Sequence, residues 1–142
     1  MDQINLAPAR AQKIADSFAR QAMMQGFGAE VAEMSEGAVT LQSPIQPHAL
    51  QQHGFVHAGL TFALGDSAAG YAALTLMPDE AEVMTAEMKI NLLAPAKGEL
   101  LIARGRVIKP GRRLFVTSAD VLAVQDGQET HVAILQGTMV PV

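Results

Sequence analysis

The chain of 142 residues carries 10 Lys and Arg against 14 Asp and Glu, with 49% apolar and only 17% charged residues. Charged residues average about 25% of a globular chain, so this one is short of charge and rich enough in apolar side chains to bury a core. A net charge of −4 excludes the broad basic face that a nucleic-acid backbone requires, and the absence of cysteine excludes disulfides, thiolate metal sites and a cysteine nucleophile.

At this length one domain over 1–142 is expected. The first residues lack a basic stretch followed by an apolar one, so the expected location is cytoplasmic. Ala11, Ile14, Ala15, Phe18 and Ala22 recur at helical spacing, with Arg10, Lys13, Asp16, Ser17, Arg20 and Gln21 largely opposite. This predicts an amphipathic helix from Pro8 to Gln25, stopped by Gly26, within an N-terminal unit 1–27. Two short strands are expected at 29–35 and 38–42, joined at Glu36-Gly37, and Ser43 to Val56 reads as a loop.

Residues 57–77 form a long apolar stretch that predicts a central helix, ended by Pro78-Asp79. Its length approaches that of a membrane span. Gly59, Gly65, Ser67 and Gly70 interrupt it, no basic flank follows, and a carboxylate at its middle would cost about 2.5–3.5 kcal/mol in a bilayer. No membrane partner is expected, and a buried helix is the better reading. Beyond it, Met84, Ala86, Met88, Ile90 and Leu92 alternate with Thr85, Glu87, Lys89 and Asn91, the period of a strand. Further strands are expected at 99–109, 113–124 and 129–140, with a first corner at Pro95 and Gly98 and hairpin turns at 109–112 and 125–128. The order predicts an α+β fold in which an antiparallel sheet of about six strands wraps one helix.

Asp66 is the only charged side chain between residues 58 and 78. Within about 60° of it on a helical wheel lie Gly59, Phe62, Ala63, Ala69, Gly70, Ala73 and Met77. A buried carboxylate is costly, so it asks for a reason. One is structural, a wet edge or an ion pair with a distant cation such as Lys89. The other is chemical, a general base or nucleophile facing a cleft, its pKa raised by desolvation. Upstream, Gly54-Phe55-Val56-His57-Ala58-Gly59 opens the helix through small residues. Its free N–H groups and dipole suit a carbonyl oxygen gaining negative charge.

Gln51, Gly54, His57-Ala58-Gly59 and Asp66 fall at the spacings of the hotdog-fold acyl-CoA thioesterases, and the chain resembles their phenylacetate-pathway (PaaI-like) branch. The stretch Thr85 to Pro95 resembles the strand that follows the helix in that branch. The resemblance runs from about residue 28 to the end and implies hydrolysis of an acyl-CoA thioester without metal or other cofactor. It implies Asp66 as the catalytic carboxylate and the N–H groups of Ala58 and Gly59 as carbonyl donors. Thr85 would help to position water, Gln51 would orient substrate or water, and His57 would have a role at the helix start. It also implies a homodimer or a dimer of dimers, each cleft taking the helix start from one subunit and the Asp from the other. Two departures stand out: Ala58 replaces a glycine, and Gln51 is one methylene longer than the usual Asn. A non-catalytic acyl-CoA-binding or sensing module, and a hotdog hydratase or dehydratase, are the alternatives on this scaffold.

Other residues carry weaker signals. His53 and His57 are four apart, but no acidic or cysteine cluster accompanies them, so no metal site is expected. Ser67 points about 100° away from Asp66 and has no histidine partner, and the eight Met read as core filling. Lys109, Arg112 and Arg113 form a basic turn, either a solvated hairpin tip or a contact for the phosphates of coenzyme A.

Overall fold

The structure is a computed structural model that describes residues 3–142. Its elements are β1 (Gln3–Asn5), α1 (Pro8–Ala19), α2 (Ala22–Gly26), β2 (Glu30–Ser35), β3 (Ala38–Pro44), α3 (Ala58–Leu74), β4 (Val83–Leu92), β5 (Leu100–Lys109), β6 (Phe115–Gln125) and β7 (Gln128–Pro141). All strands join one sheet in the order β1-β2-β3-β5-β6-β7-β4, which curls around α3. This is the expected hotdog arrangement, with seven strands instead of six.

The apolar stretch at 57–77 becomes α3 over Ala58–Leu74, and Thr75 caps its end. Leu60, Leu64, Ala68, Ala69, Ala72, Ala73 and Leu74 are all buried. Burying each Leu contributes roughly 2 kcal/mol. The small residues let the sheet come close: a Cβ at Gly105 of β5 would stand 2.3 Å from the backbone carbonyl of Ala68. At the far end of α3, the Arg10 guanidinium of α1 donates to the carbonyls of Leu74 and Thr75, at 3.1 Å each, and also to Met77 O. It thereby satisfies carbonyls that a helix terminus leaves without partners.

Three expectations change. The N-terminal helix is not continuous over 8–25, because α1 stops at Ala19 and α2 begins at Ala22. No Gly or Pro marks the break. Gln21 is extended there, and its amide donates to the Tyr71 hydroxyl of α3 at 2.9 Å, so the interruption is tertiary in origin. The unit 1–27 also holds β1, paired parallel to β2; residues 1 and 2 lie outside the described residues. Finally, β4 does not turn into β5. It pairs with β7 at the sheet's edge, and residues 93–99 cross to β5, with Ala96 O accepting from Val56 N at 2.9 Å. Hairpin turns do join β5 to β6 and β6 to β7, as the turn residues predict.

The Ala68–Gly105 approach yields a direct test. Gly105→Ala forces backbone apart from backbone, and overpacking of this kind costs about 3 kcal/mol or more. Urea denaturation should show that loss of stability, whereas a variant within 0.5 kcal/mol (approximately the scatter of a neutral surface change) would contradict the close packing.

Candidate active site

Asp66 sits half-buried in the middle of α3. Thr85 Oγ1 donates to its Oδ1 at 2.8 Å. That contact depends on a β-bulge. The pairs Thr85↔Met139 and Glu87↔Thr138 leave Ala86 as the extra residue of β4. Strict alternation puts Thr85 on the polar face with Glu87, Lys89 and Asn91; the bulge turns it inward instead, toward the helix. Lys89 stays on the outer face, in a shallow groove with Glu87 and Asn91, and no cation pairs with Asp66 among the described residues. The ion-pair reading of Asp66 is thereby replaced. Burial pushes the Asp66 carboxyl above the usual carboxylate range, and the Thr85 hydrogen bond partly offsets this.

A cavity of about 200 Å³ opens at Asp66, lined also by Ser17, Gln21, Ser67, Tyr71 and Thr85. Ser17 stands near the end of α1 and Gln21 at the break that follows it, and both fall on the side that reads as solvent-facing in the sequence. Both reach Tyr71 Oη, and Ser67 Oγ donates to Gln21 Oε1 at 3.3 Å. Ser67 is thus part of the cavity wall and not a nucleophile with a histidine partner. No sequence pattern marks this wall, because the helix breaks before Gln21 and only the contacts of Ser17 and Gln21 with Tyr71 of α3 bring them to Asp66.

The start of α3 opens a second cavity of about 550 Å³, lined by Gln51, Phe55, His57, Ala58, Thr61 and the crossing segment 92–96 among others. His57 is the helix N-cap, and its Nδ1 accepts from Gly59 N at 2.8 Å. The Gly59 N–H is therefore engaged, while the Ala58 N–H is the free donor at the helix end. Gln51 Oε1 accepts from the backbone N–H groups of His53 and Phe55, the latter at 3.3 Å, which braces the loop and leaves its amide Nε2 as a donor. Among the described residues no cluster of three or more His, Asp or Glu has the arrangement of a metal site, and no helix is long and apolar enough to cross a membrane.

The structure brings Asp66 and Thr85 together, and separately Gln51, His57, Ala58 and Gly59. It does not bring the two sets together. Asp66 lies eight positions after Ala58 along the helix, a rise of about 12 Å. Lys109, Arg112 and Arg113 are exposed at the β5–β6 tip and line neither cavity. The cross-strand row Thr85–Met139–Phe115 puts that tip at the Asp66 end of the sheet.

The family model of the thioesterase superfamily matches residues 53–130, which include His57, Ala58, Asp66 and Thr85. The chain belongs to the thioesterase superfamily. Membership puts it among the hydrolases. A thioesterase family protein of Silicibacter pomeroyi is 45% identical, with a TM-score of 0.92 over 94% of this chain and 98% of that one. The PaaI protein of the Escherichia coli phenylacetic acid degradation operon shares the fold, with a TM-score of 0.85 at 22% identity over 97% and 96% of the two chains. A Halobacterium salinarum protein named "Putative esterase" is 30% identical over 125 residues, 82% of each chain.

The raised Asp66 pKa carries a sign for stability. A folded-state pKa above the unfolded one means that the fold holds the proton more tightly. That contribution is full below the unfolded pKa and is lost as pH rises through the folded one. Asp66→Asn removes the charge and keeps an acceptor for Thr85. Thermal melts should show the variant more stable than the parent at about pH 8, with the gap narrowing as the pH falls. A gap that widens in acid would contradict burial as the cause.

Proposed function

We propose that this member of the thioesterase superfamily hydrolyses an acyl-CoA thioester, with Asp66 as general base. The carrying observation is a half-buried carboxylate on an otherwise uncharged helix, held at one oxygen by Thr85 and with its pKa raised by burial. One carboxylate oxygen is then left to take the proton of a water. The water oxygen bonds to the carbonyl carbon, and the carbonyl oxygen gains the charge that the Ala58 N–H receives. The C–S bond then breaks, and the departing thiolate regains a proton from Asp66. The Gln51 amide donates to the substrate or the water from the same cavity. The spacing of Gln51, His57, Ala58 and Asp66 supports the PaaI-like branch.

These parts work only if two copies meet. Reacting atoms must approach to about 3–3.5 Å, and Ala58 and Asp66 of one chain are roughly 12 Å apart. The bare edge of β4 supports such a pairing. Two β4 edges joined antiparallel bring the Thr85 end of one strand to the Leu92 end of the other. Met84 and Leu92, each 58% exposed, stand at those two ends and would gain cover. Each cleft then combines Asp66 of one chain with Ala58 of the partner subunit.

Complementation tests this arrangement. Ala58→Pro deletes the N–H at a first-turn position where proline is tolerated, behind a His57 already extended at φ −60° and ψ 133°. Ala58→Pro and Asp66→Asn should each lower kcat by 100-fold or more (approximately the loss from removing one catalytic donor or base). Mixed after unfolding, the two variants should regain about a quarter of parental activity, since half the dimers are mixed and each has one intact cleft. Absence of any recovery would refute a shared cleft.

The basic tip at Lys109, Arg112 and Arg113 is proposed to attract the phosphates of coenzyme A. Reversing the charges of Arg112 and Arg113 should raise KM for acyl-CoA and leave KM unchanged for a short thioester lacking the nucleotide. Equal effects on both substrates would count against it.

A further inference from the structure

A developing oxyanion is best held by more than one aligned donor. At the start of α3 the Ala58 N–H is free, but the neighbouring Gly59 N–H is engaged by His57 Nδ1 at 2.8 Å. Thr61 lies three residues after Ala58 on the same helix face and lines the same cavity. Thr61 as a whole is only 2% exposed, but its hydroxyl is not a fully buried orphan as Ser118 Oγ is, and what remains open of the residue faces this cavity. Thr75 shows the usual alternative: its hydroxyl donates back to Ala72 O at 2.6 Å. A hydroxyl on a cavity wall that does not bond back to its own helix keeps its proton available to whatever fills the cavity. Helical side chains tilt toward the N-terminus, so a hydroxyl at the fourth helical position leans toward the first-turn N–H groups.

We infer that Thr61 Oγ1–H is a second donor to the thioester carbonyl oxygen, beside the Ala58 N–H. The inference rests on the thioesterase reading above. When water adds to the carbonyl carbon, the C=O electron pair moves onto oxygen and both donors shorten their bonds to it. Thr61 keeps its proton throughout, and the pair returns as the C–S bond breaks. Thr61 is therefore a transition-state donor, distinct from Gln51, which is fixed in the loop by its own carbonyl.

Thr61→Val keeps the shape and removes the donor, and Thr61→Ser keeps the donor. With an acyl-CoA that the parent hydrolyses, Thr61→Val should lower kcat by about 100-fold with KM little changed. Thr61→Ser should retain most of the activity. An S-alkyl-CoA thioether, which has no carbonyl, should bind parent and Val variant equally, and this also shows that the variant is folded. A Val variant with kcat within about threefold of the parent overturns the assignment. So does a Val variant that loses thioether binding, since Thr61 would then shape the cavity alone. If the parent releases no coenzyme A from aryl, short-chain or long-chain acyl-CoAs, the thioesterase reading itself falls and takes this role with it.

Discussion

Helix α3 has no face suited to water, and the rest of the structure follows from enclosing it. Alanine, glycine and leucine surround the helix on all sides, so the sheet has to curl around it. Small side chains make the approach close enough that Gly105 meets the backbone of Ala68. The two ends of the helix differ. Arg10 reaches across from α1 to the last carbonyls, whereas at the exposed start His57 takes the Gly59 N–H and leaves that of Ala58 free. A carboxylate placed in the middle of such a helix inherits its desolvation, and that desolvation gives Asp66 its shifted pKa.

The same rigid helix keeps the two cavities apart. It fixes Ala58 and Asp66 at a separation no side-chain movement closes, each in its own cavity. The edge position of β4 then acquires a purpose beyond completing the sheet. A ten-residue strand with one unpaired side, flanked by exposed apolar residues, is a surface that natural proteins seldom leave uncovered. An antiparallel join at this edge reverses one helix relative to the other, which is the arrangement that the proposed shared cleft requires.

Much of this was legible from residue patterns. The period of two marked the strands, Gly and Pro marked the turns, and the isolated charge of Asp66 marked the carboxylate proposed as the base. The motif around His57 pointed to the family before any coordinates. What escaped was long-range. The break at Gln21 carries no glycine or proline, because a contact with Tyr71 produces it. The crossing of residues 93–99 looked like a hairpin corner because turn residues report local bending and not the strand that follows. Thr85 sat on the polar side of its alternation, and a bulge at Ala86 turned it around. The unpaired hydroxyl of Thr61 could not be noticed at all, since a pattern shows neither burial nor partners.

Beyond the hotdog arrangement that the family resemblance implies, sequence alone determined that this small acidic chain folds as α+β around one central helix, that a lone carboxylate stands on that helix, and that a donor-bearing turn starts it. These are local facts, encoded in periodicity, spacing and the scarcity of charge. Only the tertiary structure decided which strand lies at the edge, that Thr85 holds Asp66, that His57 occupies Gly59, and that the two halves of the site stand apart. Those outcomes depend on pairing between residues distant in the chain, and a register shift of one residue, as at Ala86, reverses which face a side chain takes.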